Sequence, residues 1–296
     1  MIKKDVLSQN CIDKLYSIFV SKEWINNIDG ENDVFDRFCK RLCQLETDDQ
    51  RDLVIELTKN FLWVKSERYE QYLYKGFLKL FSDNSWDLGA NEKVFICPLM
   101  RENDFGKNKS STYLAYLCQS FNFRKLGAFQ ENQVRILNSP KTLKDKRCKE
   151  VSKLILIDDF IGSGETAIEA LTYIKSLNLN KEIKIYVLAL VAQNEGIKII
   201  ESKGVKVFAN EVRNKGISDS FPKSEVKIKI EEMKKISAKI GADQKFKLGF
   251  MDSESLVAML RTPNNTFPVY WYERFNEDYA PFPRCGNVKM LYDDNE

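Results

Sequence analysis

Leu154-Ile155-Leu156-Ile157-Asp158-Asp159-Phe160-Ile161-Gly162-Ser163-Gly164-Glu165-Thr166-Ala167 joins an apolar run to a helical pattern through two acids and two glycines. Four consecutive apolar residues suit a central strand covered on both faces. The acids then stand at its carboxyl end, where ligands of open parallel sheets bind. Gly162 and Gly164 let the chain turn tightly and approach a ligand. The N–H groups of 163–166 would point outward at the start of the next helix, which makes an anion site. Ser163 and Thr166 add hydroxyl donors, so the loop suits a phosphate monoester, and the acids suit sugar hydroxyls, whose protons they accept. A sugar 5'-phosphate satisfies both.

On either side of this stretch, short apolar runs at 94–98, 134–137, 185–192 and 205–209 predict four more strands. Helical patterns at 111–121, 166–177 and 195–202 alternate with them, as expected of an α/β fold with a mostly parallel, doubly wound sheet. The stretch 138–153 breaks the alternation: it has no apolar periodicity and carries six basic against two acidic residues, so it reads as a long basic loop over a site. Residues 1–86 repeat apolar side chains every three to four positions and read as helices. Asp29-Gly30-Glu31-Asn32 is a predicted turn, and Asp83-Asn84-Ser85 with Gly89-Ala90-Asn91 a predicted boundary. Beyond the last strand come a basic amphipathic helix at 224–240, stopped by Gly241, and an aromatic, Pro-rich tail at 250–283. The chain thus divides into a helical region 1–90, an α/β core 91–213 and a C-terminal helix and aromatic segment 214–296, with no internal repeat.

Composition narrows the chemistry. Of 296 residues, 43% are hydrophobic and 30% charged, which excludes a disordered or collagen-like chain. No apolar run approaches the roughly 20 residues of a bilayer span, and no signal-peptide pattern follows Met1, so a cytoplasmic protein away from membranes is expected. Seven cysteines, at 11, 39, 43, 97, 118, 148 and 285, are odd in number and form no C-x-x-C pair, against a disulfide framework or a thiolate zinc site. Cys39 and Cys43, four apart on a predicted helix, read as filling. The absence of histidine removes Ser-His-Asp and Cys-His triads and His acid-base chemistry. Catalysis would fall to carboxylates, Lys, Arg, hydroxyls, backbone N–H groups or an imported metal. A net charge of +3 gives no global field for nucleic acid.

On the quoted segment, the chain resembles the class I phosphoribosyltransferases, which bind 5-phosphoribosyl 1-pyrophosphate through two acids and a phosphate loop. The strand order, with a long loop before the signature strand, extends the resemblance over 92–213. The tail Leu260-Arg261-Thr262-Pro263-Asn264-Asn265-Thr266-Phe267-Pro268-Val269-Tyr270-Trp271 is similar to a phosphoribosyltransferase-like family of bacterial conflict systems, antiphage and retron-associated. The resemblance implies a phosphoribosyltransferase-type sheet flanked by helices, with an N-terminal helical region and a C-terminal hood. It implies that Asp158 and Asp159 hold the ribose hydroxyls and a magnesium ion, and that Gly162, Ser163, Gly164, Glu165 and Thr166 hold the 5'-phosphate. Arg101, Lys107, Lys109, Ser110 and Ser111 stand where such enzymes bind pyrophosphate, and Lys141, Lys144, Lys146 and Arg147 lie in the counterpart of the flexible loop. Asn264, Asn265 and Trp271, with Phe282, would form an acceptor pocket in the hood. Two departures stand out. Some base-specific members carry a carboxylate where Gly162 stands, and Glu165 puts a negative charge beside the expected phosphate.

Other readings stand beside these. Taken alone, the two acids would cap and solvate a strand end, a reading that the apolar strand before them and the Gly-Ser-Gly-x-Thr after them weigh against, and Gly162-x-Gly164-x-x-Ala167 fits a loose dinucleotide pattern. The acids between strand and glycines, and the lack of a ribose-binding acid after 185–192, weigh against the latter. A Walker A loop is excluded because no Gly-Lys-Ser/Thr follows. The 101–111 and 138–153 loops also read as solvated connections, the helix 224–240 as a solvated or partner-facing helix, and Asn264, Asn265 and Trp271 as packing. The leading functional expectation is a magnesium-dependent enzyme acting at ribose C1 by glycosyl transfer or cleavage, an effector in antiphage defence. The alternative is a non-catalytic module that senses a phosphoribosyl ligand or nucleotide and regulates a protein partner. A homodimer or protein partner through the N-terminal helices, and an RNA component of a defence complex, complete the expected partners.

Overall fold

In the computed structural model of the chain, residues 7–25, 33–87, 89, 92–130, 134–179, 182–274 and 279–284 are described. The predicted turn at Asp29-Gly30-Glu31-Asn32, the Ala90-Asn91 end of the predicted boundary and Cys285 lie outside them. In chain order the elements are α1 (Gln9–Ser21), α2 (Val34–Cys43), α3 (Asp48–Lys59), β1 (Leu62–Trp63), α4 (Tyr69–Phe81), β2 (Lys93–Pro98), α5 (Ser110–Leu117), α6 (Gly127–Gln130), β3 (Val134–Ile136), β4 (Val151–Ile161), α7 (Glu165–Ser176), β5 (Lys184–Gln193), α8 (Asn194–Glu201), β6 (Lys206–Arg213), α9 (Lys223–Lys239) and β7 (Val257–Ala258). They fall into two units, one built on Lys65–Arg213 and one drawing on Met1–Val64 and Asn214–Lys289.

The expected α/β class is the observed one. In the unit built on Lys65–Arg213, five parallel strands lie in the order β3-β2-β4-β5-β6. Leu154, Ile155, Leu156 and Ile157 of β4 are fully buried, as a strand with neighbours on both sides and helices on both faces requires. The order reverses between β2 and β4, and such reversals open a crevice at the carboxyl ends. β2 ends at Pro98, paired with Ile157, while β4 runs on against β5 to Ile161. Asp158 and Asp159 therefore lie inside the strand, with β5 on one side and the crevice on the other. The expected strand was shorter because its polar end has no apolar pattern to mark it. α4 packs so closely on the sheet that a Cβ on Gly76 would stand 2.8 Å from Leu188 Cδ1.

The 138–153 stretch is a loop in its first part, built of two 3-10 turns at Pro140–Lys144 and Lys146–Cys148. Ser139 and Asp145 cap these turns by accepting from the N–H groups of Lys141 and Arg147. Leu143 and Cys148 are buried, at 1% and 4% exposure, and anchor the loop to the sheet core. Two anchors five residues apart leave no helical or strand period, so sequence reading found no apolar face here. The segment then enters β4 at Val151, where Lys153, fully buried, pairs with Glu92 and lies 5.5 Å from the Trp86 ring centre.

The other unit is helical. Ser8, Asp33 and Thr47 cap α1, α2 and α3 by accepting backbone N–H bonds. An aromatic core fills its middle: Phe61 stacks on Phe282 at 5.0 Å between ring centres, and Phe38 and Trp24 meet Phe282 edge-on. Tyr270, buried, donates its hydroxyl proton to Val54 O (3.1 Å). β1 and β7 pair in parallel, joining the segment before Val64 to that after Asn214. The three consecutive segments read from sequence thus become two units: the first and last segments contribute to one unit, and α4 lies with the sheet. Among the described residues no helix is long and apolar enough to cross a membrane.

Candidate functional site

Successive strand residues point to opposite faces, and the two acids accordingly meet different surroundings. Asp159 is 6% exposed. Its Oδ1 accepts from Ser110 Oγ (2.7 Å), at the first turn of α5, and its Oδ2 from the Tyr69 hydroxyl (3.1 Å), at the start of α4. Asp158 is half-buried. Its Oδ1 accepts from the Asp159 N–H (2.9 Å) and, more distantly, from Ser110 Oγ (3.4 Å). Burial raises both carboxyl pKa values, and the adjacent Asp159 charge raises Asp158 furthest. Hydrogen bonds from Ser110 and Tyr69 draw Asp159 part of the way back toward the ordinary carboxylate range. Asp159 is an anchored acceptor, and Asp158 is the acid with an oxygen left for a ligand.

The loop expected to hold the phosphate follows. Gly164 takes a left-handed conformation (φ 80°, ψ −5°) that an L side chain adopts at a cost. No side chain caps α7. Ile168 N–H is the first to bond back, to Gly164 O (3.0 Å), and the N–H groups of Glu165, Thr166 and Ala167 have no backbone acceptor among the described residues. Behind the loop stands the first turn of α8, where a Cβ on Gly196 would lie 2.2 Å from Gly162 O. Arg101, from the loop after β2, reaches the start of α7: its Nη2 donates to Glu165 Oε2 (2.7 Å) and Thr166 Oγ1 (3.3 Å), and its Nε lies 3.5 Å from Glu169 Oε2. The charge that Glu165 brings to the loop is therefore paired.

A family model, PRTase-CE, matches residues 22–284. The chain belongs to this family. It is a phosphoribosyltransferase-like protein, and its family and parallel sheet support a phosphoribosyltransferase-type function. Among solved structures, orotate phosphoribosyltransferase from Aeropyrum pernix is similar at 12% identity and a TM-score of 0.31, over 50% of this chain and 72% of that one. The AQ2163 protein from Aquifex aeolicus is similar at 16% identity and a TM-score of 0.29, over 61% and 84%. No curated protein matches the chain.

In this PRTase-CE protein the remaining expected site residues divide by unit. Lys107 and Lys109 both turn to Asp104, at 3.7 and 3.0 Å. Ser111 is buried in α5. A cleft of about 310 Å3 brings Lys107 and Tyr116 together with Asn138 and Ser139, uniting the loops after β2 and β3. In the 138–153 loop Lys144 lies 5.6 Å from the Tyr173 ring centre, Arg147 pairs with Asp145 (2.7 Å), and Lys141 and Lys146 are exposed. Asn264, Asn265 and Trp271 belong to the helical unit. There Asn265 Nδ2 donates to Ser253 Oγ (2.7 Å) and Trp271 Nε1 to Thr266 O (2.7 Å), and both residues are buried.

Magnesium takes oxygen ligands and keeps several waters. Asp158, whose Oδ2 accepts no protein N–H or hydroxyl hydrogen bond among the described residues, fits such an ion, while both Asp159 oxygens are engaged. Among the described residues no three His, Cys, Asp or Glu gather in one place, so water and ligand oxygens would supply most of the shell. Burial pushes the Cys39 thiol up to about 12, which suits filling rather than a thiolate ligand. Tyr69, Gly196 and the pairing of Arg101 with Glu165 escaped sequence reading. Tyr69 stands 90 residues from Asp159 in a helix whose pattern marks only core. Gly196 alone carried a signal, a glycine inside a helical pattern.

Proposed function

We propose that this chain binds 5-phosphoribosyl 1-pyrophosphate, or a nucleotide, at the end of β4 and acts at ribose C1 by glycosyl transfer or cleavage. The observation that carries this reading is the half-buried Asp158 followed, six to nine residues on, by a left-handed glycine and an uncapped helix start. Asp158 would accept from a ribose hydroxyl, with Asp159 held beneath it by Tyr69 and Ser110. The N–H groups of Glu165–Ala167 and the Ser163 and Thr166 hydroxyls would hold the 5'-phosphate. As the C1 bond breaks, positive charge grows on the ribose and negative charge on the leaving group, and Lys107 and Lys109 would offset the latter. Magnesium, held through Asp158, would neutralise pyrophosphate oxygens. Asp158→Asn/Asp159→Asn should reduce pyrophosphate release by about 100-fold or more with circular dichroism unchanged; retained turnover would refute the assignment.

A second reading, a sensing module without turnover, is favoured by the Arg101–Glu165 pair, since it keeps a guanidinium from the phosphate and a carboxylate beside it. A ligand-raised melting temperature without pyrophosphate release would mark that case. The similarity of the 260–271 segment to conflict-system proteins supports a role in antiphage defence, in a reducing cytoplasm. Toxicity on expression that disappears in the Asp158 and Asp159 variants is its test.

A further inference from the structure

We infer that Arg261 and Arg284 form a second anion site, in the helical unit, that takes a phosphate group of a nucleotide or polynucleotide. The chain places them together by backbone and side-chain bonds. Thr262 Oγ1 donates to Phe282 O (2.9 Å), and Phe282 N–H donates to Tyr270 O (2.8 Å), so the segment ending at Arg284 is tied to the segment beginning at Arg261. Two residues beyond Phe282, the Arg284 guanidinium lies over the Trp271 ring, 5.4 Å from its centre. That ring is itself fixed by its bond to Thr266 O and by the Phe246 ring, edge-on at 5.4 Å. A guanidinium stacked on an aromatic face keeps its N–H fork in its own plane, free for bidentate recognition of a planar or tetrahedral oxyanion.

Among the described residues the pair has no counter-charge. Arg284 is half-buried, and burial together with the charge of Arg261 lowers its pKa to about 10. Among the described residues neither arginine has a carboxylate partner. Among the described residues, Glu273 pairs with Arg37 and accepts from the Ala280 N–H, and Asp243 accepts from the Tyr272 hydroxyl (3.3 Å). Two like charges, one of them partly desolvated, oppose folding, and a bound anion removes that opposition. The surrounding cation–π contact orients the fork but supplies no negative charge. This site shares no residue with the one on β4, and the inference does not depend on the phosphoribosyl reading.

The test uses the full chain at low salt, titrated calorimetrically with inorganic phosphate, AMP and a short single-stranded oligouridylate, in wild type and in Arg261→Gln/Arg284→Gln. The expected result is binding of at least one probe that weakens about tenfold or more in the double variant and persists in Asp158→Asn/Asp159→Asn. Binding of phosphate or AMP identifies a monoester; binding of the oligouridylate alone identifies a phosphodiester backbone. Should Arg284→Gln lower the melting temperature through lost packing on Trp271, the exposed Arg261→Gln alone carries the comparison. Equal binding by wild type and the arginine variants, or no binding of any probe by wild type, would overturn the inference.

Discussion

Asp158 and Asp159 are the same side chain in two environments, and the difference has a measurable consequence. Both carboxyls are raised by burial, Asp158 further by its neighbour. A folded-state pKa above the unfolded value means that the folded chain binds more protons, so this contribution to stability is complete below about pH 4 and is lost as pH rises through the folded values. Asp158→Asn, which resembles the protonated acid, should therefore raise the melting temperature at neutral pH, with a gain that shrinks toward pH 4. Calorimetry across that range checks it; a variant less stable than wild type at neutral pH would contradict the stated environment. Tyr69→Phe removes a donor from Asp159 and should cost about 1–2 kcal/mol in denaturant unfolding. Of these residues the acids were legible in the sequence as the polar end of a strand, since they follow an apolar run. Tyr69, Arg101 and Glu165 were not legible as a set. Their partners stand 64 and 90 residues apart in the chain, and no local pattern records which donor a fold brings to which acceptor.

At the scale of elements, the loop between β4 and α7 is shaped by two glycines from different segments that meet there. Gly164→Ala puts a side chain at φ 80°, with a strain of about 1–2 kcal/mol. Gly196→Ala sets a Cβ 2.2 Å from Gly162 O, so the backbone of the loop must move. It should cost about 1–3 kcal/mol by overpacking and weaken phosphate-ligand binding more than Gly164→Ala does. Parallel titrations and denaturant curves check both; Gly196→Ala with unchanged binding would show that α8 does not shape the loop. The five strands were legible from their apolar runs, and the αβ alternation gave their parallel arrangement. The length of β4 was not, because its last residues are held by pairing with β5 at positions such as Asp158↔Ala189 rather than by hydrophobic pattern. The 138–153 loop was legible as basic and irregular, but its anchors, Leu143 and Cys148, were hidden by 3-10 spacing.

At the scale of the molecule, the grouping of segments is set by long-range packing. α4 reads like the helices before it, yet Gly76 fits it to Leu188 of the sheet. The helical unit closes on residues far apart in sequence, with Phe61 stacked on Phe282. Phe282→Ala removes that stack and the edge contacts with Trp24 and Phe38, and should cost the helical unit about 3–5 kcal/mol. Tryptophan emission during denaturant unfolding checks it through Trp24 and Trp63, which adjoin the cavity. The proposed phosphoribosyl site at the end of β4 is tested most directly by calorimetric titration with 5-phosphoribosyl 1-pyrophosphate and magnesium. The wild-type chain should bind saturably, and binding should be lost in Asp158→Asn/Asp159→Asn. Binding retained undiminished in that variant, or no binding by wild type at millimolar ligand, would contradict the proposed site.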